Sequence, residues 1–201
     1  LIPAVESGHA HVAAAGLTVT PDRARRVDFG PSVQEVRQFV LYKLGTGRPR
    51  SIDDLLGRKI EVISGSSYVD TLKDVQQVRP DLVWTENPHA DLAELLVAVA
   101  DQEIEYTIAD STLFKIYRNF VPEIRVGFEI RMGDSLAWAF PKRHDRSLIE
   151  RAEAYLTEIK QSGEYDKIME RYYGHTQRFD YVGTRTLLRD YRRRLPRYRE
   201  M

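Results

Sequence analysis

The sequence predicts an α/β protein with a largely parallel sheet. Short apolar runs of strand length alternate along the chain with segments whose apolar residues recur at helical spacing, a succession typical of α/β folds. The chain has 201 residues, of which 42% are hydrophobic, enough to bury the core of one large domain or of two small lobes. The longest apolar run, residues 95–100, has the length of a core helix and falls far short of the roughly 20 residues that span a bilayer.

The central part of the chain shows this alternation most clearly. Ser51 and Asp54 form a capping-box pattern that predicts a short helix, which Gly57 ends. The predicted strands after it cover residues 59–63, 82–85, 106–109, 124–130 and 135–140. The predicted helices between them cover residues 68–78, 90–101 and 111–119. A long helix begins at about Asp145, and Gly163 is placed to end it.

Composition and charge exclude several classes of partner and chemistry. The 30 basic and 30 acidic side chains cancel, so no overall field attracts nucleic acid, and we expect no nucleic-acid partner. The absence of cysteine excludes disulfides, thiolate catalysis and cysteine-bound metals. His9 and His11 lack the carboxylate or thiolate neighbours of a metal centre. We therefore expect no metal and no cofactor.

Several short motifs follow one another in order along the chain. They are AAGLTVTPDR at residues 14–23 with VDF at 27–29, SGSS at 64–67, IAD at 108–110, and SGEY at 162–165 leading to YYG at 172–174. This ordered set, which spans residues 1 to about 174, resembles the family 3 extracellular solute-binding proteins, which include amino-acid receptors. The resemblance implies a type II periplasmic-binding-protein-like α/β fold, in which two lobes joined by a two-strand hinge close around a small ligand.

The resemblance also implies five ligand-binding residues, Thr18, Arg23, Ser66, Ser67 and Asp110. Arg23 would hold a free carboxylate of the ligand, because a planar guanidinium donates two parallel hydrogen bonds to it. Backbone N–H and hydroxyl groups of Thr18, Ser66 and Ser67 would complete the carboxylate site, the last two at a helix N-terminus that favours anions. Asp110 would bind the ligand ammonium. The ligand class implied is an amino acid or a short cell-wall peptide.

Several of these residues have a simpler alternative role. Arg23 is close to Arg25 and Arg26, and in such a loop an arginine is often a solvated surface residue. Asp110 opens a predicted helix, where aspartate is a common N-cap. The segment 64–67 is also an ordinary turn between a strand and a helix.

The resemblance places one complete lobe at residues 44–134 and a second lobe at residues 1–43 with 135–174. The chain would cross between them through residues 38–43 and 135–140. In the family, a strand-helix-strand unit precedes the point at which this chain begins, so we expect the lobe of residues 1–43 and 135–174 to be incomplete. Exposed sheet edges and apolar faces are seldom left to water. We therefore expect self-association through this lobe.

The last residues form an arginine-rich segment. The segment of residues 177–185, together with residues 195–198, resembles the connector of the membrane-bound lytic murein transglycosylase F family. In that family, the connector is followed by a lysozyme-like domain that cleaves peptidoglycan. The resemblance implies that residues 175–201 lead to such a catalytic domain, in the periplasm and attached to the outer membrane. The Glu-Ser-His motif of that domain does not occur in this sequence, so we expect no catalytic residue here. Apolar residues near helical spacing predict an amphipathic helix; they are Leu187, Leu188, Tyr191 and Leu195.

Three other functions fit the same motifs. A free receptor that delivers amino acids to an ABC transporter would use the same binding residues, and a receptor kinase would carry the module as a sensor. A cyclohexadienyl dehydratase-like enzyme on this fold would use a pocket acid, for which Asp110 and Glu129 are the candidates. Because of the connector, we favour a regulatory or sensory ligand-binding module of a peptidoglycan lytic transglycosylase.

Overall fold

The computed structural model describes residues 1–174. The helices are α1 (Ile2–Glu6), α2 (Pro21–Arg26), α3 (Ser67–Gln76), α4 (Leu92–Ala100), α5 (Ser111–Tyr117), α6 (Ser147–Gln161) and α7 (Glu164–Met169). The strands are β1 (Ala13–Thr18), β2 (Val27–Lys43), β3 (Glu61–Ile63), β4 (Thr85–Asn87), β5 (Tyr106–Asp110) and β6 (Ile124–Pro141). A 3₁₀ turn (Ile52–Leu55) lies between β2 and β3, and a π-helical turn (Glu170–Gly174) follows α7.

The described residues form two compact units. Residues 1–36 and 133–174 form the first unit, and residues 37–132 form the second. The chain passes from the first unit to the second within β2 and returns within β6, strands of 17 and 18 residues. The lobe limits implied by the family resemblance stay a prediction.

The core of the second unit is built around α4. Every α4 residue except Glu94 is buried, as expected for a helix that is apolar on all sides. A capping box begins α4, because the Asp91 carboxylate accepts a hydrogen bond from the Glu94 N–H and the Glu94 carboxylate accepts one from the Asp91 N–H, each at 2.9 Å. Tyr68, Val69 and Leu72 form the buried face of α3 and pack with Val62 of β3. These strand-helix units have the α/β character that the sequence predicts.

The prediction of a largely parallel sheet is wrong for the two long strands, β2 and β6. β1 pairs with β6, and β2 pairs with β5, in antiparallel register, with Gln38 opposite Asp110. β3 pairs with β4 in parallel, and Ile60 and Tyr106 form a parallel bridge. The hydrogen-bonded order is β1-β6-β2-β5 in one sheet and β3-β4 in the other. Apolar alternation indicates repeated strand-helix units with parallel strands, but it carries no information on the direction of β2 and β6, which connect the two units.

The strands predicted at residues 124–130 and 135–140 are one strand, β6. It continues through Gly133, whose φ is +71°, a backbone conformation that glycine adopts without strain. Polar and small residues around this glycine interrupt the apolar pattern, which is why the sequence predicts two strands where the backbone forms one.

The strand predicted at residues 82–85 is shifted toward the C-terminus, because β4 begins at Thr85. Leu82 is fully buried but lies in the turn that precedes the strand, where its N–H donates to the Arg79 carbonyl at 3.0 Å. A buried apolar residue in a turn cannot be distinguished, from the sequence alone, from a buried apolar residue in a strand.

The first unit packs α6 against β6. The buried face of α6 consists of four apolar residues at helical spacing, Ile149, Ala152, Leu156 and Ile159. Two of them pack with Phe140 of β6. α6 ends at Gln161, and Gly163 takes the left-handed conformation with a φ of +74°, as the sequence predicts for the glycine after this helix.

Among residues 1–174, no helix is both long enough and apolar enough to cross a membrane. The predicted connector at residues 175–201 and its predicted amphipathic helix lie outside the described residues. Self-association through the first unit stays a prediction.

Candidate ligand-binding site

Two parallel strands of the second unit end at the same edge. The bridge between Ile60 and Tyr106 is parallel, and the Thr107 hydroxyl donates to the Glu61 carbonyl at 2.7 Å, so β3 and β5 run side by side in one direction. Residues 64–67 follow β3, and Asp110 ends β5. Ligands of α/β proteins bind outside the carboxyl ends of such strands.

Asp110 begins α5 and is also fixed by α3. Its Oδ1 accepts hydrogen bonds from the N–H groups of Thr112 and Leu113, both at 2.9 Å, so the N-cap role considered as an alternative is confirmed. The Tyr68 hydroxyl donates to Oδ2 at 3.2 Å and accepts from the Asp110 N–H at 3.2 Å. A carboxylate oxygen has about two acceptor positions, and Oδ2 therefore retains room for a ligand donor. The cap does not exclude the predicted ammonium role.

The turn before α3 leaves a hydroxyl unsatisfied. Ser66 is the N-cap residue of α3 but makes no side-chain capping bond, and its Oγ is buried without a hydrogen-bond partner among the residues described. Gly65 has a φ of +67° with open space around the position of a Cβ, so the turn needs glycine for its backbone. Ser67 is buried in the first turn of α3. A buried hydroxyl without a partner is rare unless a ligand or water fills its place.

Thr18 and Arg23 are brought together in the first unit. Thr18 ends β1 and is 7% exposed. The Arg23 Nη1 donates to the Thr18 carbonyl at 3.1 Å, and the Arg23 N–H donates to the Thr20 hydroxyl at 3.3 Å. Arg23 lies in α2 and not in a loop, which corrects the sequence-based description; Thr20 as N-cap and Pro21 as first residue are ordinary signals for a helix start.

The neighbouring arginines have the surface role that was the alternative for Arg23. Arg25 pairs with Asp22 at 2.9 Å, and its side chain is 72% exposed. Arg26 forms a forked pair with Glu6, with its Nη2 2.6 Å and its Nε 3.0 Å from one carboxylate oxygen, and this hydrogen bond is the main cause that lowers the pKa of Glu6. The half-buried Arg23 binds the backbone instead.

The structure thus groups Thr18 with Arg23 in the first unit, and groups Ser66 and Ser67 with Asp110 through α3 in the second. Within residues 1–174, no group of three or more potential ligand side chains is placed to hold a metal ion.

The sequence does not single out Tyr68, and it offers Glu129 only as a candidate acid in the dehydratase alternative. Tyr68 matches the apolar spacing of α3, and the contact of its hydroxyl with Asp110 spans 42 residues of sequence. Glu129 lies in β6 with its Oε1 buried and without a hydrogen-bond partner among the described residues. Nothing local in the sequence indicates the contact between Tyr68 and Asp110 or the burial of the Glu129 Oε1.

Comparison with known proteins gives one family and one fold. The family model of the bacterial extracellular solute-binding proteins, family 3, matches residues 1–175. The membrane-bound lytic murein transglycosylase F 1 of Alkalilimnicola ehrlichii is 40% identical over 200 residues, which cover 99% of this chain and 40% of that protein. The membrane-bound lytic murein transglycosylase F of Saccharophagus degradans is 40% identical over 188 residues, which cover 94% of this chain and 38% of that protein. The chain therefore spans about two fifths of the length of these relatives.

Solved structures of amino-acid-binding proteins have the same fold. An ancestral arginine-binding protein bound to arginine has a TM-score of 0.74 and 27% identity, over 86% of this chain and 75% of that one. A substrate-binding protein of an amino acid ABC transporter has a TM-score of 0.76 and 25% identity, over 87% of this chain and 76% of that one. The predicted type II periplasmic-binding-protein-like fold is confirmed.

Proposed function

Since the chain belongs to the bacterial extracellular solute-binding proteins, family 3, we propose that it binds a small ligand with a free carboxylate and an ammonium group. The observation that carries this proposal is the edge where β3 and β5 end. There, the buried Ser66 hydroxyl has no hydrogen-bond partner among the described residues, and the Asp110 Oδ2 has acceptor capacity left. Tyr68, in the first turn of α3, contacts Asp110 directly. Amino acids and short cell-wall peptides carry the matching groups.

Each residue has a role set by its chemistry. The Arg23 guanidinium, whose Nη1 donates to the Thr18 carbonyl, holds the ligand carboxylate. The Ser66 hydroxyl and the first N–H groups of α3, which include that of Ser67, complete the carboxylate site, since a helix N-terminus favours negative charge. The Asp110 Oδ2 accepts from the ligand ammonium.

Ligand binding and closure are coupled in this proposal. Thr18 and Arg23 belong to one unit and Ser66, Ser67 and Asp110 to the other. In a two-lobed binding protein, a ligand that contacts both lobes gains contacts that exist only in the closed state. A ligand shifts an equilibrium by its difference in affinity for the two states. Ligand binding would therefore change the conformation of the module, and this change would be transmitted to an attached domain.

The attached domain is, in our proposal, a peptidoglycan lytic transglycosylase that follows residue 201. The relatives of 40% identity carry that name and are about two and a half times as long as the part matched here. The module would then be the regulatory or sensory part of a periplasmic enzyme attached to the outer membrane. The 201-residue chain alone should release no anhydro-muropeptides from purified peptidoglycan, and their appearance would contradict the proposed division of roles.

A thermal-shift screen tests the proposed function. The chain is heated with each of a panel of amino acids and dipeptides and with the corresponding carboxamides, which lack the free carboxylate. A ligand at about 100 times its dissociation constant stabilises the folded state by about 2.7 kcal/mol. We expect at least one acid to raise the melting temperature and its amide not to do so. Equal shifts for acid and amide, or no shift in the whole panel, would contradict the proposal.

A further inference from the structure

Gln38 of β2 is a polar residue inside the second unit. The residue is 1% exposed. It makes other interactions, but its Oε1 is buried and accepts no hydrogen bond from residues 1–174. Buried polar atoms of native proteins are nearly always paired with protein or ordered water, because an unmatched one costs the free energy of its desolvation. The amide oxygen is therefore an acceptor for which the described residues supply no donor.

The strand register places the Gln38 side chain against Asp110. The two residues are directly opposite each other in the β2–β5 ladder, so their side chains share one face of the sheet and their Cβ atoms are about 4.5–5.5 Å apart. The next pair on this face, Val40 and Ile108, packs in the apolar cluster that contains Tyr68. The ladder pair that lies between these two pairs packs in the other core cluster, on the opposite face. The alternation therefore directs Gln38 to the face on which the Tyr68 hydroxyl meets the Asp110 carboxylate.

Two acceptors thus lie side by side at the end of β5. The Asp110 Oδ1 is occupied by the N–H groups that it caps, whereas Oδ2 has the Tyr68 hydroxyl as its donor at 3.2 Å and retains acceptor capacity. The amide oxygen of Gln38 is the neighbour of this carboxylate across the ladder. A primary ammonium has three donors, so one such group can bind both oxygens. A ligand hydroxyl has a single donor and can bind only one of them.

We infer that Gln38 is a ligand-binding residue, whose Oε1 accepts one hydrogen of the ligand ammonium while the Asp110 Oδ2 accepts another. The inference rests on the proposed function and deepens it. Because Oε1 is out of contact with water, an ammonium that reaches it is buried as well, and a buried cation needs its donors matched. The site therefore selects a free primary ammonium.

The ligand class is an amino acid, or a short peptide with a free amino terminus. N-methylation removes one of the three ammonium donors and adds a methyl group at a buried position. N-acylation removes the charge, so a peptide joined to another molecule through its amino terminus does not fit. The loss of a hydrogen bond to a charged group corresponds to a loss of at least about tenfold in affinity.

Calorimetric titration with three matched probes tests the inference. The first probe is the compound that binds most tightly in a thermal-shift panel of the standard amino acids and the alanyl dipeptides. The other two are its N-methyl derivative and its 2-hydroxy analogue; for L-leucine, these are N-methyl-L-leucine and L-2-hydroxyisocaproate. The unchanged chain should bind the N-methyl derivative at least about tenfold more weakly than the primary amine.

Two substitutions of Gln38 separate the acceptor from the shape of the side chain. Gln38→Met keeps the length and removes the acceptor, Gln38→Glu keeps an acceptor, and Gln77→Met is the control at the exposed C-cap residue of α3. In Gln38→Met, the affinity for the primary amine should fall by at least about tenfold, with the affinity for the 2-hydroxy analogue unchanged. Gln38→Glu and Gln77→Met should keep the preference for the amine. A merely structural role of Gln38 would lower both affinities together and leave their ratio intact.

Three results would overturn the inference. If Gln38→Met keeps the ratio of the unchanged chain, Gln38 does not bind the ammonium, although the proposed function stands. If the N-methyl derivative binds the unchanged chain as tightly as the primary amine does, the ammonium is not enclosed by two acceptors, and this comparison decides the matter even where Gln38→Met does not fold. If 2-hydroxy acids bind while no primary amine does, the ligand class is wrong; if nothing binds at all, the proposed function fails as well.

Discussion

Substituting Asp110 in two ways separates its role as a helix cap from its role in ligand binding. Asp110→Ala removes both capping hydrogen bonds to Thr112 and Leu113 and the bond from the Tyr68 hydroxyl. Loss of an N-cap destabilises by about 0.5–2 kcal/mol, and loss of a hydrogen bond to a charged group by about 1.5–3 kcal/mol. Together they lower the free energy of unfolding by about 2–5 kcal/mol.

Asp110→Asn keeps the cap and loses the charge. Asparagine caps helices as well as aspartate does, and its Oδ1 retains the bonds to α5, so the free energy of unfolding should fall by less than about 1 kcal/mol. The ligand ammonium, however, loses its charged partner, which weakens binding by about 2–5 kcal/mol, or at least about 30-fold. A ligand that lacks the ammonium should bind equally to the unchanged chain and to Asp110→Asn.

Urea unfolding followed by circular dichroism gives the stabilities, and calorimetry gives the affinities. If Asp110→Asn is destabilised as much as Asp110→Ala, the capping account of Asp110 is wrong. If Asp110→Asn binds an amino acid as tightly as the unchanged chain does, Asp110 is a cap alone and the ammonium is bound elsewhere.

Three further predictions concern the turn before α3, the 3₁₀ turn and the first unit. Gly65→Ala places a side chain at a φ of +67° and should lower the free energy of unfolding by about 1–2 kcal/mol; no change in urea midpoint would refute this. Hydrogen bonds from the backbone N–H groups of Arg50 and Ser51 lower the pKa of Asp54, so its stabilising contribution is present above the unfolded pKa of about 3.9 and is lost as pH falls through the lower folded value. Asp54→Asn should therefore weaken the fall in stability below about pH 4, and an unchanged pH profile would contradict the assignment. Light scattering on the 201-residue chain should show self-association, whereas a stable monomer would show that the first unit needs no second copy.

The sequence predicts most strand-helix units because their signals are local. The capping-box pattern of Ser51 and Asp54 and the apolar stripe of α6 depend on residues within a few positions of each other. The cap formed by Asp110 is of the same kind, which explains why the sequence offers it as an alternative. The ordered set of motifs, which includes the segment around Arg23, indicates the family, although the sequence predicts a loop at Arg23 and the structure places this residue in α2.

The contacts that the sequence does not predict join residues that are distant along the chain. Tyr68 and Asp110 are 42 positions apart, and each has a sufficient local explanation, as a core residue of α3 and as a cap. Glu129 and Arg37 meet because two long strands lie in one sheet, and the direction of those strands is the feature that apolar alternation leaves open. Side-chain identity sets the chemistry of such a pair, but only the fold sets their distance.

The most direct test of ligand binding by the chain is a calorimetric cycle on Arg23. A ligand acid found in the thermal-shift screen and its carboxamide are titrated into the unchanged chain, into Arg23→Ala and into Arg25→Ala, the control whose arginine pairs with Asp22. We expect Arg23→Ala to bind the acid about 2–5 kcal/mol more weakly than the unchanged chain does and to bind the amide almost as tightly. Arg25→Ala should bind both as the unchanged chain does. Equal affinity of Arg23→Ala and the unchanged chain for the acid would contradict the claim that this module holds its ligand by a free carboxylate.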